Sequence, residues 1–302
     1  IWQKIIEDAP RASGFAQTNK FGALAMLLGL MCIAGVIWTR ELRQSRLQRY
    51  LLVGLFCMGS LAGIFASFLS GSRGAWLALA PAVLISLWAI SRLGYAKGYL
   101  LAGLVLITTA IATAYFLPAT GVASRVAEAL HELNNSPNGQ VTHGSVDDRL
   151  EMWRGAWELF REKPYIGWGE LAYMSEMKQL GESGFIKPEV GRYAHAHSEW
   201  FNVLAKKGIV GCLILLGVYA TPLIWFANVG HQSTRTRNQK ISRFALAVSG
   251  GAFSLGLMAT SITQVHFDHN ITVMVYVFMI AVLVGVSSNN YWADRDSLSG
   301  PG

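Results

Sequence analysis

The stretch 21–39, FGALAMLLGLMCIAGVIWT, decides the fold class, because it is apolar throughout and contains no charged residue. A helix of about 20 residues crosses the roughly 30 Å hydrocarbon core of a bilayer. Six further stretches share this character, although two of them are short. The sequence therefore predicts an all-α, polytopic bundle with seven spans: 21–39, 50–69, 75–90, 98–117, 208–228, 244–264 and 272–287. Pro81 and Pro222 predict kinks inside two spans.

The composition argues against two other classes of protein. The 302 residues are 52% hydrophobic and only 14% charged, whereas soluble domains are about 25% charged. This composition argues against a soluble enzyme, and it excludes a disordered chain, which would combine low hydrophobicity with high charge. Three cysteines, all in apolar runs, cannot build a disulfide framework.

The positive charges predict the orientation. Lys and Arg residues concentrate in the loops after the first, third and fifth predicted spans, which are therefore predicted to be cytoplasmic. The segment 118–207 then faces the periplasm, with twelve Asp or Glu against ten Lys or Arg. The chain divides into spans one to four (1–117), a large periplasmic loop (118–207) and spans five to seven with a cytoplasmic tail (208–302). The formal charge of +7 reflects insertion, and no nucleic-acid partner is predicted.

The beginning of the chain predicts preceding sequence. It opens with Ile1, and its polar first twenty residues lack the apolar core of a signal peptide. The orientation nevertheless puts these residues outside the cytoplasm. We therefore expect earlier membrane spans in a longer natural chain.

The long loop is predicted to be partly helical. Turn-forming residues at 134–139 predict an irregular segment. Asp147 and Asp148 then favour the start of a helix that Pro164 ends, with an apolar stripe of Leu150, Trp153, Trp157 and Phe160. A glycine-broken stretch follows over 167–191. A short helix from about residue 198 is predicted to end at Gly208 and lead into the fifth span.

His197 is the first candidate for chemistry, because an imidazole that titrates near neutrality can take a proton from a hydroxyl. It lies at a predicted helix start, so a capping role is the alternative. His195 and His197 could also be metal ligands, but no third ligand accompanies them, and no metal is predicted. His266, Asp268 and His269 share a short outer turn and either line the same cavity or form a hydrated loop.

Arginines are the second set of candidates. Arg73 stands alone in an outer turn of small residues, where it could bind a phosphate or simply extend to the membrane interface. Arg149 opens the loop helix, where a cation gains nothing from the helix dipole. It either pairs with Asp147 and Asp148 or binds a phosphate together with the free helix amides. The supporting candidates are Arg125, Arg154, His195 and Lys20.

Three segments resemble the bacterial O-antigen ligase family, which belongs to a wider group with O-antigen polymerases and some protein O-oligosaccharyltransferases. They are SGSRGAWLAL (70–79), DDRLEMWRGAWELFREKPYIGWG (147–169) and the stretch around His197. In the last, His197 and Ser198 are followed after nine residues by Gly208 and Gly211. This resembles the ligase pattern of His before Asn, Ser or Gln and a spaced Gly-x-x-Gly, whereas the first two segments are shared with the polymerases.

The resemblance implies a GT-C-like glycosyltransferase of the bacterial inner membrane. It implies transfer of a whole polysaccharide from undecaprenyl diphosphate to a sugar hydroxyl of lipid A-core, at a periplasmic site and without a cofactor. Arg73 and Arg149 would stabilise the diphosphate leaving group, and His197 would orient or deprotonate the acceptor hydroxyl. The family also implies inversion at the anomeric carbon. The partners are then the lipid-linked donor, lipid A-core and membrane lipid.

Two alternatives accompany this interpretation. The chain could be a polymerase or protein O-oligosaccharyltransferase of the same group, although the His-Ser and Gly-x-x-Gly spacing favours the ligases. It could instead be a transporter of lipid-linked sugars, for which polar residues deep in several spans are expected. The predicted spans are almost free of charge, and the ionisable residues gather at the outer boundary.

Overall fold

A computed structural model gives the fold for residues 12–39 except 15, for 45–93, 121–135, 145–231 and 237–296, and for short pieces between 105 and 118. All regular structure in these residues is helical, which confirms the predicted all-α polytopic fold. The helices are α1 (Thr18–Trp38), α2 (Arg46–Ser70), α3 (Leu79–Leu93), α4 (Val122–Asn135), α5 (Ser145–Glu162), α6 (Gly169–Glu182), α7 (Glu199–His231), α8 (Arg237–Thr260) and α9 (Asn270–Asp296).

Five helices in the described part of the chain are long and apolar enough to cross a membrane. They lie at Thr18–Trp38, Arg46–Ser70, Glu199–His231, Ile241–Thr260 and Asn270–Ser288. The predicted span 75–90 is only a shorter apolar helix, Arg73–Ile85, whose first part is the 3₁₀ segment Arg73–Ala78. Pro81 explains the change to α-helix at Leu79, since proline fits the first turn of an α-helix and not its interior. Most of the predicted span 98–117 lies outside the described residues.

The bundle is held together by close helix contacts. A Cβ on Gly63 of α2 would lie 2.6 Å from the carbonyl oxygen of Ala25, so glycine lets α1 and α2 approach backbone to backbone. Phe68 of α2, Tyr219 of α7 and Phe253 of α8 are almost fully buried in one apolar cluster. This packing brings the ends of α1, α2, α7 and α8 together at one end of the bundle.

A second core lies beside that end, in residues 145–207, which we call the extramembrane lobe. Met152, Ala156 and Leu159 of α5 pack against Tyr173 and Met177 of α6. The helix over 145–162 confirms the predicted helix after Asp147 and Asp148 and before Pro164. Helix α6 was not predicted, because this helix of only 14 residues begins at Gly169 and contains Gly181.

The predicted apolar stripe of α5 is buried only in part, because Trp153 packs against the core of the lobe whereas Leu150 and Trp157 do not. Leu150 and Trp157 are 42% and 47% exposed, whereas Met152 and Leu159 are buried. The buried face is made by Met152, Gly155, Ala156 and Leu159, because the small residues let α6 approach. The large side chains selected from the sequence lie mainly beside this contact, and Trp157 packs instead on Phe160.

Helix α7 joins the lobe to the bundle. It begins at Glu199 and carries a non-helical residue, Gly208, with φ 63° and ψ −160°. The prediction of a short helix that ends at Gly208 and continues into an apolar span is confirmed. Pro222 lies farther along the same helix.

Candidate active site

A cavity of about 220 Å³ lies where the turn at 70–74, the start of α5 and the loop before α7 meet. Its wall contains three guanidinium groups and one imidazole contributed by four separate parts of the chain. The lining residues are Asn19, Gly71, Arg73, Arg125, Asp148, Arg149, Met152, Tyr193 and His197. The fold therefore brings His197, Arg73, Arg149 and Arg125 to one site.

Arg73 and Arg125 are oriented by reciprocal hydrogen bonds. Arg73 Nη1 donates to the carbonyl oxygen of Arg125 at 3.2 Å, and Arg125 Nη1 donates to the carbonyl oxygen of Gly71 at 3.2 Å. Gly71 has a φ of 64°, and a Cβ there would lie 2.5 Å from Arg125 Cζ. Only glycine permits this approach, so the SGSRG turn and α4 together fix two guanidinium groups.

Arg149 lies in the first turns of α5, beside Asp148 on the cavity wall. The neighbouring Asp147 forms an ion pair with Lys187. Lys187 also donates its backbone N–H to Glu151 Oε2 at 3.2 Å, so two contacts tie the loop around 187 to α5. Asp147, one of the two carboxylates that the sequence offered as partners of Arg149, is therefore paired with Lys187.

His197 has an unusual backbone conformation. Its φ of 50° makes it the one non-glycine residue with positive φ in the described part of the chain. Histidine tolerates this region better than most residues, but such a conformation persists only where the surroundings enforce it. Trp153 Nε1 donates to the carbonyl oxygen of Ala196 at 3.0 Å, and the His197 N–H donates to His195 Nδ1 at 3.4 Å. These bonds fix the loop so that the imidazole reaches the cavity.

The surroundings keep the His197 imidazole neutral. Burial is the main cause that lowers its pKa, and the neighbouring His195 and Arg149 lower it further, to about 4. An imidazole with this pKa is unprotonated at pH 7 and can accept a hydrogen bond from a hydroxyl, but it is a weaker base than an unperturbed histidine. The Tyr193 ring contacts the imidazole edge to face, with ring centroids 5.8 Å apart.

A polar cluster lies on the other side of His195. The His195 ring is 4.2 Å from that of His197 and 6.3 Å from that of His269, between ring centroids. Burial, followed by the neighbouring His269, lowers the pKa of His195. Asp268 accepts from Asn202 Nδ2 at 2.9 Å and lies 3.4 Å from Lys206 Nζ. The outer turn 265–269 therefore contacts the histidine loop but does not line the arginine cavity.

Three further candidates lie outside the cavity wall. His266 is fully buried, its Nε2 is 2.8 Å from Thr260 Oγ1, and burial lowers its pKa to about 3. Lys20 is 7% exposed and its Nζ donates to Gln17 Oε1 at 3.1 Å; its charge contributes to the lowered pKa of His197. Arg154 lies over the Phe185 ring at 4.5 Å and 3.6 Å from a Glu151 carboxylate oxygen.

The sequence did not single out several residues of the site. Tyr193 and Asn19 line the cavity, and Glu199 follows the histidine loop at the start of α7. Glu199 is 1% exposed, and its Oε2 accepts from the backbone N–H groups of His266 at 2.5 Å and Phe267 at 3.0 Å. Proximity to His197 in the sequence was the only signal for Tyr193 and Glu199, whereas the fold alone brings in Asn19. Among the described residues, no three His, Cys, Asp or Glu side chains form a group that could hold a metal ion.

The helical bundle and its cavity at one end define a polytopic membrane protein with a cationic, histidine-containing site. A family model described as O-antigen ligase matches residues 59–216, which is just over half of the chain. The chain belongs to the O-antigen ligase family, within the superfamily of O-antigen ligases and polymerases, whose members are glycosyltransferase-like membrane enzymes. The matched region contains all the lining residues of the cavity except Asn19.

A relative in Haemophilus influenzae, described as an uncharacterized protein, is 24% identical over 166 residues. The match covers 55% of this chain and 41% of the relative. The chain therefore matches less than half of the length of this relative.

Proposed function

We propose that this protein is an O-antigen ligase. It transfers a polysaccharide en bloc from undecaprenyl diphosphate to a sugar hydroxyl of lipid A-core. The observation that carries the proposal is the single cavity lined by Arg73, Arg125, Arg149 and His197. It combines cations suited to a diphosphate with a neutral imidazole suited to a hydroxyl.

The arginines act on the donor. As the bond between the anomeric carbon and the diphosphate oxygen breaks, negative charge accumulates on the leaving group. Guanidinium groups match phosphate oxygens with several donors in a fixed fork. Because reciprocal hydrogen bonds hold Arg73 and Arg125 in place, little reorganisation is needed as that charge develops. Arg149 contributes its positive charge at the start of α5.

His197 acts on the acceptor. The acceptor hydroxyl oxygen forms a bond to the anomeric carbon, its proton passes to the imidazole of His197, and undecaprenyl diphosphate leaves with the bonding electron pair. A one-step displacement of this kind inverts the anomeric configuration. The lowered pKa of His197 keeps the imidazole in the neutral form that this role needs.

The proposed location follows from the charge pattern of the loops. The basic loops face the cytoplasm, and the segment 118–207, with the cavity, faces the periplasm of the bacterial inner membrane. In this arrangement 1–117 and 208–302 form the membrane-embedded parts. The donor approaches within the membrane plane and presents its diphosphate at the outer boundary.

Substitutions in a ligase-deficient strain test the proposal. His197→Ala, Arg73→Ala and Arg149→Ala should each abolish polymer-capped lipopolysaccharide on a gel while the protein remains in the membrane. We expect losses of about 10²- to 10³-fold for an arginine and about 10²- to 10⁴-fold for His197. The matched control is Arg161→Gln, because Arg161 lies on α5, 64% exposed in its side chain, and pairs with Glu158. Normal capping in the three site variants would contradict the proposal.

A deletion strain separates the ligase from a polymerase of the same superfamily. Loss of a ligase leaves carrier-linked polymer in the membrane, whereas loss of a polymerase leaves single carrier-linked repeats. Mass spectrometry of the lipid-linked glycans distinguishes the two. If single repeats accumulate in the deletion strain, the protein is a polymerase and not a ligase.

A further inference from the structure

An apolar patch projects from the extramembrane lobe beside the start of the apolar part of α7. It consists of Tyr165, Ile166, Leu171 and Met174, which are 74%, 75%, 96% and 49% exposed. The first two lie in the loop between α5 and α6, and the other two lie one turn apart on α6. Four large apolar side chains with this exposure, all within ten residues of the chain, mark an interaction site, because they gain nothing from contact with water.

The patch is continuous with a surface that faces lipid. Ile209 N–H donates to the carbonyl oxygen of Pro164 at 2.8 Å, and Val210 N–H donates to that of Tyr165 at 3.3 Å. Ile209 and Val210 belong to a membrane-spanning helix and are 39% and 50% exposed. Leu213 and Ile214, on the next turn, are 60% and 65% exposed. The loop that carries Tyr165 and Ile166 is therefore held at the level where the helix enters the bilayer.

The flanks of the patch have the chemistry of a membrane interface. Lys163 Nζ lies 3.4 Å from the centroid of the Trp168 ring, and Trp168 Nε1 donates to the carbonyl oxygen of Leu159 at 3.0 Å. Lys207 is exposed at the other side. Tyrosine and tryptophan favour the headgroup level, and lysines there contact lipid phosphates. Glu170, the nearby carboxylate, pairs with Lys206 at 2.7 Å.

We propose that Tyr165, Ile166, Leu171 and Met174 form a lipid anchor that inserts into the headgroup and acyl boundary of the adjacent bilayer leaflet. The partner is the phospholipid surface itself. The anchor fixes the height of the extramembrane lobe above the membrane, and with it the height of α5 and the histidine loop. Farther along α6, the same face carries the charged residues Lys178 and Glu182, so this part of the helix lies outside the lipid.

Depth-dependent fluorescence quenching tests the anchor. Cys32, Cys57 and Cys212 are the free cysteines of the described chain and are replaced by serine. Single cysteines are then introduced by Ile166→Cys, by Leu171→Cys and, as the matched control, by Glu182→Cys. Glu182 lies on the same face of α6, about 16 Å along the axis from Leu171, and its side chain is 64% exposed. Each variant is labelled with an environment-sensitive fluorophore and reconstituted in vesicles of phosphatidylcholine and phosphatidylglycerol.

Vesicles with brominated acyl chains are compared with unbrominated ones. Labels at 166 and 171 should lose about half of their fluorescence, because a side chain 5–10 Å into the boundary contacts the upper acyl carbons. The label at 182 should be unchanged. Because Leu171 is 96% exposed, its substitution removes no packing and serves as the test if Ile166→Cys fails to fold. Quenching at 171 above that at 182 supports the anchor, whereas equal values at 171 and 182 overturn it.

Discussion

At the scale of single residues, the account depends on His197 remaining neutral beside Arg149. Burial, His195 and the Arg149 guanidinium lower the pKa of His197 to about 4. A base must be unprotonated, so activity should fall only as the pH drops through that value and stay constant near neutrality. The histidine was predictable from its position at a helix start, but its lowered pKa was not, because both its burial and the approach of Arg149 arise only through the fold.

The pH dependence of kcat/KM tests this relationship. Arg149→Gln removes a positive charge that disfavours the imidazolium, so the pKa of His197 should rise and the acid limb should move to higher pH, in addition to the loss of rate. Arg161→Gln should leave the limb in place, because Arg161 pairs with Glu158 and is not among the charges that lower the pKa of His197. If the acid limb lies at the same pH in Arg149→Gln as in the unsubstituted protein, Arg149 does not lower the pKa of His197.

Glu199 holds the outer turn 265–269, and its substitution has a predictable cost. Its carboxylate accepts from the backbone N–H groups of His266 and Phe267. In Glu199→Ala both buried amides lose their acceptor, at about 1–3 kcal/mol each. In Glu199→Gln the amide oxygen can still accept. We expect a clearly lower Tm in detergent for the alanine variant than for the glutamine variant; equal values would show that these hydrogen bonds do not hold the turn.

At the scale of elements, the sequence predicted where helices begin and end better than which face they bury. Asp147, Pro164 and Gly208 are local signals that act within one helical turn. Asp147 supplies negative charge at the start of a helix, Pro164 lacks an N–H, and Gly208 permits a positive φ. The buried face of α5 depends on what packs against it. The small residues Gly155 and Ala156 form the contact with α6, and no property of the α5 sequence alone indicates that this face is buried.

The kink at Gly208 determines how α7 connects the two cores. Its φ of 63° with ψ of −160° is accessible mainly to glycine. A Cβ there would lie 2.3 Å from the carbonyl oxygen of Tyr165. Gly208→Ala should therefore lower the Tm, and the free energy of unfolding should fall by at least about 1–3 kcal/mol.

Gly217 provides a control on the same helix. No atom lies within 4 Å of a Cβ at this position, and alanine is about 1 kcal/mol more favourable than glycine in a helix. Gly217→Ala should leave the Tm unchanged or raise it. If the two alanine variants behave alike, the kink is not a constraint on the fold.

At the scale of the whole molecule, charge and hydropathy together predict the membrane topology. Apolar length is a local property, so the long spans were found from the sequence, whereas the packing of the extramembrane lobe against α7 was not. The proposed orientation is testable with an impermeant maleimide on spheroplasts, in a background with Cys32, Cys57 and Cys212 replaced. Lys178→Cys on α6 should react, and Arg46→Cys at the start of α2 should react only after lysis. The opposite pattern would reverse the orientation.

The central claim is tested most directly by reconstituted transfer. The purified protein in proteoliposomes is given undecaprenyl-diphosphate-linked O-antigen and lipid A-core, and the products are analysed by mass spectrometry. The account predicts a lipid A-core that carries the whole polymer, release of undecaprenyl diphosphate, and loss of both products in His197→Ala. A lipid A-core that remains unmodified while the substrates and protein are intact, or a His197→Ala variant that transfers at the same rate, would contradict it.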